Sequence, residues 1–266
     1  MSDMIPAIKK REVVLFIVTG GGSGIGKALA VELAHRGEVV LIVGRRQSIL
    51  DEVASMSSSI SSLQADVSTE EGRALVENQV AKVPRIKALV HNAGTVEPFA
   101  RLGEIQTKDW LQAFATNVEP ALFLTQQLSS KLIGGRVLNI SSGAIYYPIP
   151  GCATYCATKA ALSMLTKCWQ LEEQRFLTTS VLPGISDTAM FASIRHSDLL
   201  PTTNSDFYKQ LYDNQRIIKP EVVALFLSWL LIDCNADDYQ SKEWDIYDTT
   251  HHNEWLKPPH TVPSLE

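Results

Sequence analysis

Thr19-Gly20-Gly21-Gly22-Ser23-Gly24-Ile25-Gly26 follows directly on the apolar run Val13-Val14-Leu15-Phe16-Ile17-Val18. A short β-branched and aromatic run that ends in a glycine cluster reads as a buried strand turning into a helix. With no side chains in the turn, a pyrophosphate can approach backbone N–H groups at a helix N-terminus, where the macrodipole favours negative charge. Two chemistries compete for such a loop. The phosphate-loop spacing G-x-x-x-x-G-K-[ST] is met from Gly21 through Lys27, but the next residue is Ala28, which has no hydroxyl for a magnesium ion. The dinucleotide spacing G-x-G-x-x-G is met in no register. What stands is T-G-x-x-x-G-x-G, through Gly20, Gly24 and Gly26, and its weight depends on the rest of the chain.

Beyond the turn, short apolar runs alternate with longer segments of helical periodicity, as a parallel sheet covered by helices on both faces requires. Strands are predicted at 13–19, 39–43, 61–65, 88–91, 135–140, 179–182 and 243–246. Helices are predicted at 25–35, 48–56, 69–83, 108–132, 153–176 and 220–232. No repeat or linker divides the chain, so one domain is expected over 1–256. Residues 185–219 break the rhythm with short helical pieces and the polar run Pro201-Thr202-Thr203-Asn204-Ser205-Asp206, read as a substrate lid with a disordered insertion as the alternative. The proline-rich end, 257–266, is expected to be a loose tail.

The chain has 266 residues, 45% of them apolar and 20% charged, which excludes disordered, collagen-like and disulfide-scaffold classes. Twenty-four Lys and Arg against 29 Asp and Glu give a net charge of -5 with no basic block, so nucleic acid is not an expected partner. Four cysteines, Cys152, Cys156, Cys168 and Cys234, lack paired spacing and read as thiols of a reducing cytosol. Lys9, Lys10 and Arg11 before the first apolar run imitate a signal peptide. That run ends in Thr19 and glycines instead of a cleavage site and is too short to span a bilayer, so neither export nor a membrane is expected.

Further stations fall at the predicted strand ends. Asn92-Ala93-Gly94 follows the fourth strand, Asn117 lies in the next helix, Ser141-Ser142 ends the fifth strand, Tyr155-x-x-x-Lys159 opens the following helix, and Pro183-Gly184 closes the sixth strand. In this order the chain resembles the classical short-chain dehydrogenase/reductases over nearly its whole length. His91, where the family often has Asn, and Thr158, where Ser is frequent, are small departures.

Tyr155 and Lys159 are four apart, on one helical face. A cation beside a phenol favours phenolate, so the pair is expected to bring the tyrosine pKa down toward working pH for acid–base catalysis. Ser142, at a strand's carboxyl end, could hold the substrate oxygen as charge develops. The alternative is an ordinary amphipathic pair. The resemblance implies a single-domain, Rossmann-like, doubly wound parallel α/β sheet and hydride transfer between a nicotinamide and a carbonyl carbon. It casts Tyr155 as proton donor, Lys159 as holder of the nicotinamide ribose and Asn117 as part of a water-linked relay to Lys159.

The same resemblance places the cofactor against Gly20, Ser23, Gly24, Ile25, Gly26, Asp66, Val67, Asn92, Ala93, Gly94, Pro183, Gly184, Ile185 and Thr188. An acidic residue roughly 20 positions past the glycine turn marks NAD preference. Here Gly44-Arg45-Arg46 stands there, with no carboxylate to repel a 2′-phosphate and two guanidinium forks to bind it, so NADP(H) is preferred. The alternative leaves both arginines as solvated surface.

Pro183-Gly184-Ile185-Ser186-Asp187-Thr188-Ala189-Met190 resembles the P-G-x-x-D-T-x-M stretch of sepiapterin reductases and related benzil reductases, as does the ending Trp244-Asp245-Ile246-Tyr247-Asp248. This implies reduction of a small-molecule ketone or dicarbonyl. Asp245 is either a substrate contact or structural, and Ile145, Tyr146, Tyr147, Pro148 and Met190 are candidate pocket walls. A 3-oxoacyl reductase, another alcohol dehydrogenase or a non-catalytic NADP-binding redox sensor are the alternatives. Cys152 and Cys156 read as packing residues, and His251-His252 lacks further ligands, so no metal is expected. Helices at 108–132 and 153–176 resemble those through which the family assembles, implying a homodimer or homotetramer.

Overall fold

The computed structural model describes residues 14–265; Val13, Lys9, Lys10 and Arg11 lie outside them. The described strands are β1 (Val14–Thr19), β2 (Val39–Gly44), β3 (Ile60–Gln64), β4 (Arg85–His91), β5 (Arg136–Ile140), β6 (Leu177–Leu182) and β7 (Trp244–Asp245). They form one parallel sheet in the order β3-β2-β1-β4-β5-β6-β7. The order reverses between β1 and β4, and such a switch point opens a crevice at the carboxyl ends of the strands. The connections carry α1 (Gly24–His35), α2 (Gln47–Ala54), α3 (Glu70–Gln79), α4 (Thr107–Asn117), α5 (Glu119–Leu128), α6 (Ala153–Glu172), α7 (Ala189–Arg195), α8 (Thr202–Asp213) and α9 (Pro220–Ile232).

Side chains alternate between the two faces of a strand, and here both faces are covered. Phe16, Val18, Ile42 and Val90 enter a core closed by Leu29 and Leu33 of α1 and by Val223, Phe226 and Leu230 of α9. Ile17, Leu41, Val43 and Leu89 enter the opposite core against Val76 of α3 and Leu124 and Leu128 of α5. The α/β doubly wound sheet is therefore as expected from the sequence.

The differences have local causes. β4 begins at Arg85, not at 88, because its charged residues keep their heads outside. Arg85 donates to Gly134 O at 2.7 Å, and Lys87 reaches Glu38 Oε1 at 2.6 Å while lying over the Phe16 ring. The single helix predicted at 108–132 is two helices, α4 and α5, broken at Val118. Pro120 cannot donate a backbone hydrogen bond inside a helix but is tolerated in a first turn. β7 is only two residues long, Trp244–Asp245, where 243–246 was expected.

The polar run at 201–206 is the start of α8 instead of a loop. The base of the 185–219 segment is pinned where Ile218 N–H donates to Ile185 O and Asp187 N–H donates to Ile218 O. Nor is the end of the chain loose over its described part: Val262 packs against the α1–α9 core, and the Arg216 guanidinium donates to Ser264 O at 2.6 and 3.1 Å.

Candidate active site

Thr19 and Asn92 build the glycine turn. Thr19 Oγ1 donates to Val90 O and accepts the N–H groups of Asn92 and Ala93, which ties the carboxyl ends of β1 and β4 together. Asn92 Nδ2 then donates to Thr19 O at 2.9 Å and to Gly20 O at 3.2 Å. Gly20 has φ +66°, and a Cβ there would stand 2.9 Å from Ala93 Cα and from Asn92 Nδ2. Only glycine meets both demands. Ser23 precedes α1 without a side-chain cap, so the first N–H groups of the helix are left for a ligand.

A cleft of about 430 Å³ runs from β2 past this turn to α6 and under α7 and α8. It brings together most of the residues singled out above. At one end stand Arg45, Arg46, Asp66 and Val67; in the middle Gly20, Ser23, Gly24, Ile25, Asn92, Ala93 and Gly94; at the other Ser142, Tyr155 and Lys159. Pro183, Gly184, Ile185, Thr188 and Met190 close the far side. Thr188 caps α7 by accepting the Phe191 N–H, and its methyl lies 3.2 Å from where a Cβ on Gly24 would be.

Tyr155 and Lys159 are both buried, on the face of α6 that meets β5. Lys159 Nζ donates to Ile140 O at 2.6 Å and lies 5.7 Å from the centroid of the Tyr155 ring. Burial pushes the Tyr155 phenol up to about 12, with a hydrogen bond from Ser142 acting in the other direction. Burial also brings Lys159 down to about 8. This corrects the expectation that Lys159 draws the phenol toward working pH. Desolvation is the largest effect on Tyr155, and the lysine gives its short hydrogen bond to a carbonyl. Tyr155 accordingly keeps its proton at neutral pH.

Seven expected site residues do not line the cleft: Gly26, Asn117, Asp245 and, of the candidate walls, Ile145, Tyr146, Tyr147 and Pro148. Gly26 is buried behind it, where a Cβ would meet Asn92 Nδ2 and Gly20 O at 2.4 Å, so its role is close packing of α1 on the turn. Asn117 directs its side chain to the loop after β4, accepting Thr95 N–H at 2.8 Å and donating to Thr95 O and Thr158 Oγ1. Tyr147 is exposed, as are Tyr146 and Pro148. Asp245 accepts the Tyr247 N–H through Oδ1, and the Tyr247 hydroxyl in turn accepts the Ile185 N–H at 3.0 Å. Asp245 thus shapes the cleft wall at second hand.

Conversely, Ile149, Phe191, Ile194 and Tyr208 line the cleft without having been singled out. Phe191 and Ile194, three apart, share a face of α7, a spacing visible in the sequence. Nothing in the pattern marks Tyr208. No motif marks Glu243 either, yet its carboxylate accepts hydrogen bonds from Ser163, Ser180 and Tyr146 at 2.6–2.9 Å.

A family profile described as short chain dehydrogenase matches residues 14–199. The chain belongs to the short-chain dehydrogenase family. It is similar to an oxidoreductase of Schizosaccharomyces pombe described as uncharacterized, with 29% identity over 245 residues covering 88% of this chain and 97% of the other. It is also similar to a benzil reductase, (S)-benzoin forming, of Bacillus cereus, with 28% identity over 232 residues covering 81% and 92%. The crystal structure of the KRED1-Pglu enzyme superposes with a TM-score of 0.81 at 26% identity, covering 86% of this chain and 99% of that one. As a short-chain dehydrogenase the protein is an oxidoreductase that works with a nicotinamide cofactor. The residues present fit that cofactor: an uncapped helix N-terminus over a glycine turn that a Cβ would fill, continuous with a buried Tyr–Lys pair.

Proposed function

We propose that this chain is an NADPH-dependent carbonyl reductase that takes a ketone or dicarbonyl to the alcohol with Tyr155 as general acid. The observation that carries the reading is the convergence of Ser142, Tyr155 and Lys159 on one end of the cleft that holds the glycine turn. When bound, the nicotinamide supplies a hydride to the carbonyl carbon. The protein's own groups handle the oxygen. Ser142 donates a hydrogen bond to it, and Tyr155, a protonated phenol whose hold on its proton burial strengthens, delivers that proton as negative charge develops.

Lys159, charged below about 8, steadies the resulting phenolate and passes a proton back to it. Gly94 supports a route outward, because a Cβ there would stand 3.3 Å from Asn117 Oδ1 and 3.8 Å from Lys159 Nζ, which puts these two groups around one backbone position. Arg45 and Arg46, exposed on the cleft rim beside Gly44, support recognition of a 2′-phosphate. Similarity to a benzil reductase supports a dicarbonyl substrate.

Self-association is part of the same reading. Leu111 on α4 and Met164 and Leu171 on α6 are exposed apolar residues on the helices expected to pair. The four cysteines are all free thiols, which supports a reducing compartment. The test follows NADPH absorbance with benzil, sepiapterin and simple ketones, in parallel with NADH. Substrate-dependent oxidation of NADPH, faster than of NADH, is expected. Cofactor binding without oxidation across the panel would overturn the reading in favour of a sensor.

A further inference from the structure

Past Tyr155 the cleft runs under α7 and α8 into a part whose wall is apolar, built from Ile149, Met190, Phe191 and Ile194. Val96, Ala144 and Cys152 pack with Tyr155 behind it. Such a wall takes the hydrocarbon part of a ligand and offers its oxygens nothing, so an oxygen placed there without a donor is penalised.

Tyr208 of α8 is the polar exception. It lines the same part of the cleft, half-buried, with its ring edge-on to Phe191 at a centroid distance of 5.7 Å. The Phe207 ring lies tilted to the same ring at 5.6 Å, so Tyr208 has two aromatic neighbours. Its hydroxyl makes no hydrogen bond to any described residue. Burial holds that hydroxyl in its protonated form, and the thiols of Cys152 and Cys156 add to the effect. Tyr208 shares the cleft lining with Ser142 and Tyr155 and with the apolar wall between them. A protonated phenol with no protein acceptor among the described residues, set among apolar side chains, is a donor available to a ligand oxygen.

We propose that Tyr208 is a specificity-determining residue that donates a hydrogen bond to a second oxygen of the substrate. The site then takes bulky apolar ketones that carry another carbonyl or hydroxyl oxygen, as vicinal diketones do. Ser142 and Tyr155 grip the oxygen that is reduced, Tyr208 grips the one that is not, and the apolar wall holds the carbon frame between them. The inference rests on the carbonyl-reductase reading and narrows its substrate class.

The test compares the unaltered enzyme with Tyr208→Phe on two probes of nearly equal shape, benzil with two carbonyls and deoxybenzoin with one, at saturating NADPH. Tyr208→Phe should lower kcat/KM for benzil about tenfold, mainly through KM, as loss of one hydrogen bond does. Its kcat/KM for deoxybenzoin should change less than about twofold, and NADPH affinity, which reports an intact fold, should not change. An equal loss on both ketones, or no loss on either, would overturn the subsite while leaving the carbonyl-reductase reading standing. If the unaltered enzyme turned over neither ketone, the subsite would fall, and the carbonyl-reductase reading would fall with it only if the wider carbonyl panel also gave no oxidation.

Discussion

The Tyr146 hydroxyl donates to Glu243 Oε2 across 2.9 Å, while Oε1 of the same carboxylate accepts from Ser163 on α6 and Ser180 on β6. One carboxylate thereby fastens the turn that follows Ser142 to the helix that carries Tyr155. The Ser142 side chain begins that turn by accepting the Ala144 N–H, so slack at Tyr146 is passed to the serine. Glu243→Ala should lower kcat about tenfold, since a misplaced group near the chemistry costs rate directly. Tyr146→Phe, which loses one of the three hydrogen bonds, should lower it less. Steady-state kinetics of both variants, with cofactor affinity as the control, check the order.

Cofactor choice should follow the rim of the cleft. Arg45 and Arg46 follow Gly44 at the carboxyl end of β2, the position where NAD preference would place a carboxylate. Replacing both by alanine should weaken NADPH binding by roughly 10- to 100-fold, the scale of losing charge-assisted hydrogen bonds to a phosphate, and leave NADH binding nearly unchanged. Fluorescence titration with each cofactor measures this. Equal weakening of both would assign the arginines a structural role.

Acid should destabilise the fold through His91. This residue is buried at the end of β4, with Nε2 on Thr125 Oγ1 at 2.9 Å and Nδ1 without a partner among the described residues. Burial brings its pKa down from 6.5 to about 3. The folded state therefore binds fewer protons than the unfolded one, so His91 penalises the folded state progressively as pH falls from 6.5 toward 3. The accumulated loss is on the order of a few kcal/mol. Urea midpoints at pH 7 and pH 5 should fall further for the unaltered protein than for His91→Asn, which cannot titrate there.

The parts of this molecule that read directly from the sequence are those where one residue type has one physical use. The glycine turn did so because no other residue tolerates φ +66° with Asn92 and Ala93 against it, and Tyr155 and Lys159 did so because helical spacing alone puts them on one face. What escaped depends on tertiary context. Arg85 and Lys87 look like loop residues until Gly134, Glu38 and Phe16 are seen beside them. The sequence leaves Asp245 open between a substrate contact and a structural role, and only the fold shows its Oδ1 accepting the Tyr247 N–H. The rise in the Tyr155 pKa is a matter of burial, which spacing does not convey. Tyr208 enters the cleft only because α8 folds back on α7, bringing it to Phe191.

The central claim is that Tyr155 supplies the proton. It is tested most directly by single-turnover oxidation of NADPH by Tyr155→Phe with a diketone, measured beside the dissociation constant for NADPH. The account predicts a rate lower by on the order of 10²–10⁴-fold, the usual worth of a positioned general acid, with cofactor affinity unchanged. A rate within a few-fold of the unaltered enzyme, at equal cofactor occupancy, would contradict it.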